Sequence, residues 1–460
     1  MKKRSSGVRP ARRVGRAEKV VIKPAEKPAR ARRSSIAKSP KRELIVQAVE
    51  KLWSSLFLSP VHLDSALSKL PHTVKSALAT IVPTLLLRPV STIEALGVGV
   101  PSGEPWSLSL EQLAAWRPMT IAAQRLNELR TGSSPVREMR PVLEDFPPRI
   151  LEDWKRDWGS EVMNELVLVL GKEAPLGLRA ARGLGADGLF KRLTEGSRLP
   201  VRAERSHFAP FGVRLASYAP VLGLEVYQSG GFEIQDEGSQ IMALFALWPD
   251  IFAPLLQAKP GRVPAANFSV TPDRLTFKTV PASVIDACAG AGGKSLAIAD
   301  ALGGKGRVFA YDTVSTKLQA LKRRASRGGL RNIQVLELKE GEEQATVQRF
   351  KNSADIVLVD APCSGWGVLR RNPDIKWRQK IDVLDRMPAI QQRLLNAYSE
   401  LVAPGGRLVY GVCTFRVAET VSVIRNFLDQ HPEFEEKEGG FLGPGPCDGF
   451  YMKSMQKKGI

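Results

Sequence analysis

The chain has few of the residues that hold metals or disulfides. Its 460 residues include 4 cysteines and 4 histidines. Cys288, Cys363, Cys413 and Cys447 show no C-x-x-C pairing, and His62, His72, His207 and His431 are scattered, none at ligand spacing from a cysteine. This excludes a zinc module and a disulfide framework, and implies free thiols in a reducing compartment, read here as the cytoplasm. No metal is expected. No apolar run approaches the ~20 residues of a membrane helix, so no membrane is expected either, and the chain is read as a monomer. Acid is also scarce at the N-terminus. Residues 1–42 hold 16 basic residues against Glu18 and Glu26, within a formal net charge of +20.

Residues 1–40, the basic tail, have almost no large apolar side chains and cannot bury a core, so disorder is expected. Such a tail attracts polyanions, RNA first among them. A solvated tail aiding solubility and an organelle transit peptide are the other readings. Residues 41–130 show apolar positions at helical spacing, from Leu44, Val49 and Leu52 to Leu78, Ile81 and Leu85, which predicts an all-α unit. Residues 131–150 read as a Pro- and Gly-rich linker. A helical stretch runs from Arg149 to Leu170, with Trp154 and Trp158 expected to pack rather than stack on bases. Together with the short strands and turns that follow, it suggests a small α+β subdomain over 151–235, expected to bind RNA. Residues 236–460 form the remaining unit. From about residue 281 strands and helices alternate regularly, which predicts a parallel, doubly wound, Rossmann-like sheet. Gly449 to Gln456 reads as an edge strand.

Three motifs carry chemistry. Asp286-Ala287-Cys288-Ala289-Gly290-Ala291-Gly292-Gly293-Lys294 joins a strand to a helix through glycines that let backbone N–H groups approach a ligand. Its spacing fits neither a P-loop, since Cys288 stands where the first glycine belongs, nor G-x-G-x-x-G, since position 295 is serine. Asp312, at the end of the next strand, can accept hydrogen bonds from ribose hydroxyls. A glycine turn followed by such an acid suits S-adenosyl-L-methionine. The second motif is the apolar run Asp355 to Val359 ending in Asp360-Ala361-Pro362-Cys363-Ser364-Gly365, followed by Arg370, Arg371 and Lys376, cations expected to face RNA. The third is Gly405 to Cys413-Thr414. In a doubly wound sheet the strands ending at Asp360 and Cys413 are neighbours, so both thiols converge on the cofactor crevice.

Two thiols suit methylation of a pyrimidine. Carbon 5 is too weakly nucleophilic to attack a methyl sulfonium, and a thiolate adding to carbon 6 activates it. A second group beside the first can assist the elimination that follows. Asp360 can hydrogen-bond the base at N3, and Lys294 can supply the positive setting a thiolate needs. Spacing alone does not rank Cys363 against Cys413.

These motifs resemble the Sun/RsmB family of RNA 5-methylcytosine methyltransferases, through Asp-Ala-Pro-Cys-Ser-Gly-Trp-Gly at 360–367 with Arg-Arg-Asn-Pro-Asp-Ile-Lys-Trp at 370–377. Gln235-Asp236-Glu237-Gly238-Ser239-Gln240, Phe146-Pro147-Pro148 and Asp448-Gly449-Phe450-Tyr451 are similar to further family segments, and the helices of 41–130 to a NusB-like domain. Gly290-Ala291 stand where the family has Ala-Pro, and Val412 where it has Thr. The resemblance implies methylation of 16S ribosomal RNA, Cys413 as nucleophile, Cys363 assisting product release, and Asp360 contacting the base or cofactor. Cys288 through Lys294, with Asp312, would line the S-adenosyl-L-methionine pocket. A tRNA substrate, or a ribosome-assembly factor that binds RNA without turnover, are the alternatives.

Overall fold

The structure, a computed structural model, describes residues 42–58, 72–89, a few positions between 66 and 126, and 141–459 except 196–201, 217–218, 262–267, 340–342 and 379–380. The expected basic tail and most of the expected all-α region and linker lie outside the described residues. Within that region, helices Arg42–Leu58 and His72–Leu87 pack through Ile45, Val49, Trp53, Leu78 and Leu85, the apolar positions of the helical repeat.

Helices Pro148–Trp158 and Ser160–Leu170 replace the single helix expected, because Gly159 breaks the run at φ +87°. They pack not with the small subdomain but against the large sheet, burying Phe146, Ile150, Trp154, Leu166 and Leu170 in its core. Trp154 meets Trp366 edge-on at 6.1 Å, a packing contact. The small unit is a four-stranded antiparallel sheet of β1 (Leu176–Ala180), β2 (Ala203–Arg205), β3 (Gly212–Leu215) and β4 (Phe232–Ile234), in the order β2-β3-β1-β4. It has its own core around Leu178, Leu189, Val213 and Phe232.

The large sheet comprises β5 (Ser283–Asp286), β6 (Arg307–Asp312), β7 (Ile333–Glu337), β8 (Ala354–Asp360), β9 (Val402–Val412), β10 (Phe434–Leu442) and β11 (Phe450–Lys457), ordered β10-β11-β9-β8-β5-β6-β7. The five strands β9 to β7 in that order are parallel, and β11 and β10 are antiparallel to their neighbours. This is the doubly wound, Rossmann-like arrangement expected. The segment expected as an edge strand, β11, is instead paired on both sides, and β10 forms the edge. Strand β10 exposes Glu435, Glu436 and Lys437 in a row, so its first half lacks the apolar run that marks a buried strand.

Strand β8 is central. Ile356 and Leu358 enter the core on one face, under helices Glu237–Leu247 and Gly293–Ala301, while Val357 and Val359 enter the other, under helix Ile381–Ser399. Each fully buried side chain of this size contributes about 1.5–3 kcal/mol. At its amino end, Asp355 Oδ2 accepts the N–H groups of Ala282 and Ser283 at 2.7 and 3.0 Å, tying it to the start of β5. Strand order reverses between β5 and β8, and their carboxyl ends therefore open a crevice.

Candidate active site

The crevice is a cleft of about 490 Å³, the size range of small-molecule sites. The turn Ala287 to Ala291 forms one wall, with Asp312, Asp360 and Pro362 beside it and Ile390, Arg393, Leu394 and Tyr398 of helix Ile381–Ser399 opposite. Gly290 and Gly292 take left-handed φ values of +54° and +87°. A Cβ on Gly292 would meet Leu321 at 2.3 Å. Asp312 accepts the N–H of Gly290 at 2.7 Å through Oδ2 and that of Val314 at 2.8 Å through Oδ1, so the acid also holds the turn in shape.

Of the residues expected to bind the cofactor, Cys288, Ala289, Gly290, Ala291, Asp312 and Asp360 line the cleft. Gly292, Gly293 and Lys294, at the start of helix Gly293–Ala301, do not line it. An apolar wall of Ile390 and Leu394 for a base, a carboxylate on the ribose side and an acid at the far end fit S-adenosyl-L-methionine. Glu337 is exposed at the end of β7 and does not line the cleft. The opposite wall had no motif to announce it, because its residues lie on one face of an ordinary amphipathic helix.

Lys294 Nζ lies 2.5 Å from Asp360 Oδ2 and 5.6 Å from the centre of the Phe450 ring. Burial works against the ammonium charge, but Asp360 outweighs it and the lysine is raised above its ordinary value. Asp286 beneath it is pushed up to about 6 by burial, against a 2.6 Å bond from Ser295 Oγ.

The structure brings the two strand-end thiols together, with Cys363 Sγ and Cys413 Sγ 3.5 Å apart and both half-buried. Bonding to Cys413 first, and burial second, push the Cys363 thiol well up. Either sulfur can be the donor in that contact. The flanking residues tie the two loops together. Ser364 and Thr414 hydroxyls lie 2.6 Å apart, and Gly367 N–H donates to Cys413 O at 2.9 Å. Gly449 N–H in turn donates to Gly367 O at 2.9 Å, so the approach to β11 closes over both thiol loops.

The three cations expected to face RNA are used inside the protein. Arg370 is buried and donates to the carbonyls of Lys172, Glu173 and Gly445. Arg371 bridges Asp236 and Asp448, at 2.8 Å each. Lys376 donates to Leu87 O at 2.5 Å and Asp145 O at 2.8 Å, 4.6 Å from the Phe146 ring, and burial pushes it down to about 7. Their partners lie at least 75 positions away in sequence, beyond any local signal.

Among the described residues there is no cluster that could hold a metal ion and no helix long and apolar enough to cross a membrane.

Comparison with known proteins matches residues 278–445 to the family described as 16S rRNA methyltransferase RsmB/F. The chain is 29% identical over 336 residues to the probable ribosomal RNA small subunit methyltransferase B of Bacillus subtilis, covering 68% of this chain and 66% of the relative, just under two thirds. It is 26% identical over 380 residues to the ribosomal RNA small subunit methyltransferase B of Pseudomonas putida, covering 79% and 77%. In fold it is similar to the crystal structure of PH0851, with a TM-score of 0.62, 19% identity, and coverage of 90% of this chain and 99% of that one. It is likewise similar to NSun6 from Pyrococcus horikoshii with SFG, with a TM-score of 0.54, 15% identity, and coverage of 69% and 99%.

Proposed function

We propose that the chain, whose residues 278–445 match the 16S rRNA methyltransferase RsmB/F family, methylates carbon 5 of a cytosine in small-subunit ribosomal RNA. The observation carrying this reading is the 3.5 Å approach of Cys363 and Cys413 at the ends of adjacent parallel strands, beside the cofactor cleft. S-adenosyl-L-methionine is the cofactor, and when bound it supplies a methyl group made electrophilic by its sulfonium.

The chain's own residues do the rest. The thiolate of Cys413 adds to carbon 6, and the ring electron pair moves toward carbon 5, making it nucleophilic. Asp360, with Lys294 bound to it, can hydrogen-bond the edge of the base, and the pair can balance the charge that develops there. After transfer, the proton on carbon 5 passes to water. Its bonding pair restores the double bond to carbon 6, and the carbon–sulfur bond breaks with its electrons returning to Cys413. The Cys363 thiol donates a hydrogen bond to that departing sulfur.

The test is methylation of ribosomal RNA from a deletion strain, with bisulfite sequencing to locate the product. Cys413→Ala is expected to abolish transfer and leave no covalent species. Cys363→Ala is expected to accumulate a protein–RNA adduct that survives denaturation. Full activity of Cys413→Ala would overturn the nucleophile, and a product found in tRNA would overturn the substrate.

A further inference from the structure

We infer that Glu419 is a positioning residue that holds Cys363 in place for the release half of the reaction, an inference that rests on the mechanism proposed above. Glu419 lies in the short 3-10 turn Val417–Glu419 after β9, with 0% of its surface exposed. A fully buried carboxylate at a turn is costly unless it is paired. Its partners are the loops that carry the thiols. Oε2 accepts the N–H of Ser364, next to Cys363, at 2.8 Å, and Nε2 of Gln391 at 2.9 Å. Oε1 accepts Nη1 of Arg416, three residues after Cys413, at 3.2 Å.

Gln391 Nε2 also donates to Pro362 O at 2.9 Å, on the other side of Cys363. Arg416 is anchored to Asp153 Oδ2 at 3.0 Å and to Leu384 O at 2.9 Å. Tyr410 OH fixes the backbone carbonyl of Glu419 at 2.8 Å. The backbone is thus gripped on both sides of Cys363, while Arg416 ties the same carboxylate to the loop bearing Cys413. Glu419 does not itself line the cleft. Its effect reaches the chemistry through the placement and protonation of one thiol.

The titratable and charged groups around Cys363 are Cys413 and Glu419 together with Tyr410, whose own hydroxyl is raised by burial first and by Cys363 next. Arg416 and Asp153 stand behind Glu419, and the Lys294–Asp360 pair occupies the neighbouring strand end. The negative charge of Glu419 adds to the hydrogen bond and burial that keep the Cys363 proton on sulfur. When the bond between carbon 6 and Cys413 breaks, its electron pair returns to a sulfur that the Cys363 S–H already faces.

The experiment compares wild type, Cys363→Ala, Glu419→Gln and Gln391→Ala in full-length protein under single turnover. It reads formation and decay of the denaturation-resistant RNA adduct across pH, with S-adenosyl-L-methionine affinity measured by calorimetry as the check on folding. Glu419→Gln is expected to form adduct at a near wild-type rate but release it ~10-fold or more slowly, the range of a missing acid–base contribution or less. The alkaline limb of its release profile should move to lower pH. Gln391→Ala should slow release to a smaller extent. Formation and release slowed equally, or a release limb that does not move, would reduce Glu419 to a structural role. If Glu419→Gln loses cofactor affinity, Gln391→Ala decides by the same split between formation and release. Adduct in Cys363→Ala without slowed release in Glu419→Gln or Gln391→Ala overturns this inference alone, whereas no adduct in Cys363→Ala overturns the mechanism beneath it.

Discussion

Lys294 and Asp360 meet end to end, Nζ to Oδ2 at 2.5 Å, although one opens the helix after β5 and the other closes β8. The pair sits where the cofactor wall meets the thiol loop, and each charge offsets the other's burial. Lys294→Met leaves Asp360 half-buried without its cation. Methyl transfer is expected to fall ~10²-fold, as for removal of one preorganised polar group, with folding retained. Initial rates beside circular dichroism check this, and an unchanged rate would remove Lys294 from the machinery.

Gly367 packs where no side chain fits. A Cβ there would meet Gly449 O at 2.1 Å and the Cys413 carbonyl carbon at 3.1 Å. Gly367→Ala is expected to cost about 1–3 kcal/mol through overpacking, and to lower activity further by displacing the loop of Cys413. Thermal unfolding and turnover, measured together, should both fall. A stable, fully active variant would mean that the loops are not clamped.

Glu237 is a buried carboxyl whose Oε1 accepts the N–H groups of Phe208 and Ala209, at 2.5 and 3.0 Å, while Oε2 has no hydrogen-bond partner among the described residues. Burial pushes it up to about 7. Because the folded value is raised, its contribution to stability is present below the unfolded value near 4.5 and is lost as pH rises through 7. Glu237→Gln keeps both hydrogen bonds and carries no charge. The variant is expected to match wild type near pH 4.5 and to exceed its stability at pH 8 by up to about 3 kcal/mol, seen in denaturant titrations at the two pH values.

The basic N-terminal stretch gives an expectation from composition alone. Deleting residues 1–40 should weaken RNA binding and make its dependence on salt shallower, since each phosphate left without its cation takes ~0.7 off the slope for single strands. Affinity for S-adenosyl-L-methionine should not change. An unaltered salt slope would mean that these residues do not touch RNA.

Much of the site was legible because buried parallel strands announce themselves. The run Asp355 to Val359 has no other stable home than a strand covered on both faces, and β8 ends at Asp360, where the run does. The neighbouring strand ends at Val412, just before Cys413, so the two thiols had to meet near one crevice. The cations were not legible. Arg370, Arg371 and Lys376 look like surface charge in sequence, but each finds carbonyls or carboxylates supplied by remote segments. Strand β10 was missed because an edge exposes charge where a central strand exposes none. The grip of Glu419 was equally hidden, since its partner Ser364 lies 55 positions earlier.

Lys376 and Trp377 carry one more consequence. The ammonium and indole N–H donate to Leu87 O and Leu86 O, the last carbonyls of helix His72–Leu87, where a cation is favoured by the helix dipole. The chain just beyond Cys363 thus serves as the C-terminal cap of an N-terminal helix almost 300 residues away. A fragment starting after that helix would keep every chemical group of the site but take those acceptors from the Lys376 ammonium and the Trp377 indole N–H. The boundary of the matched family region at residue 278 is therefore a boundary of sequence likeness and not a place to cut the gene for a working catalytic module.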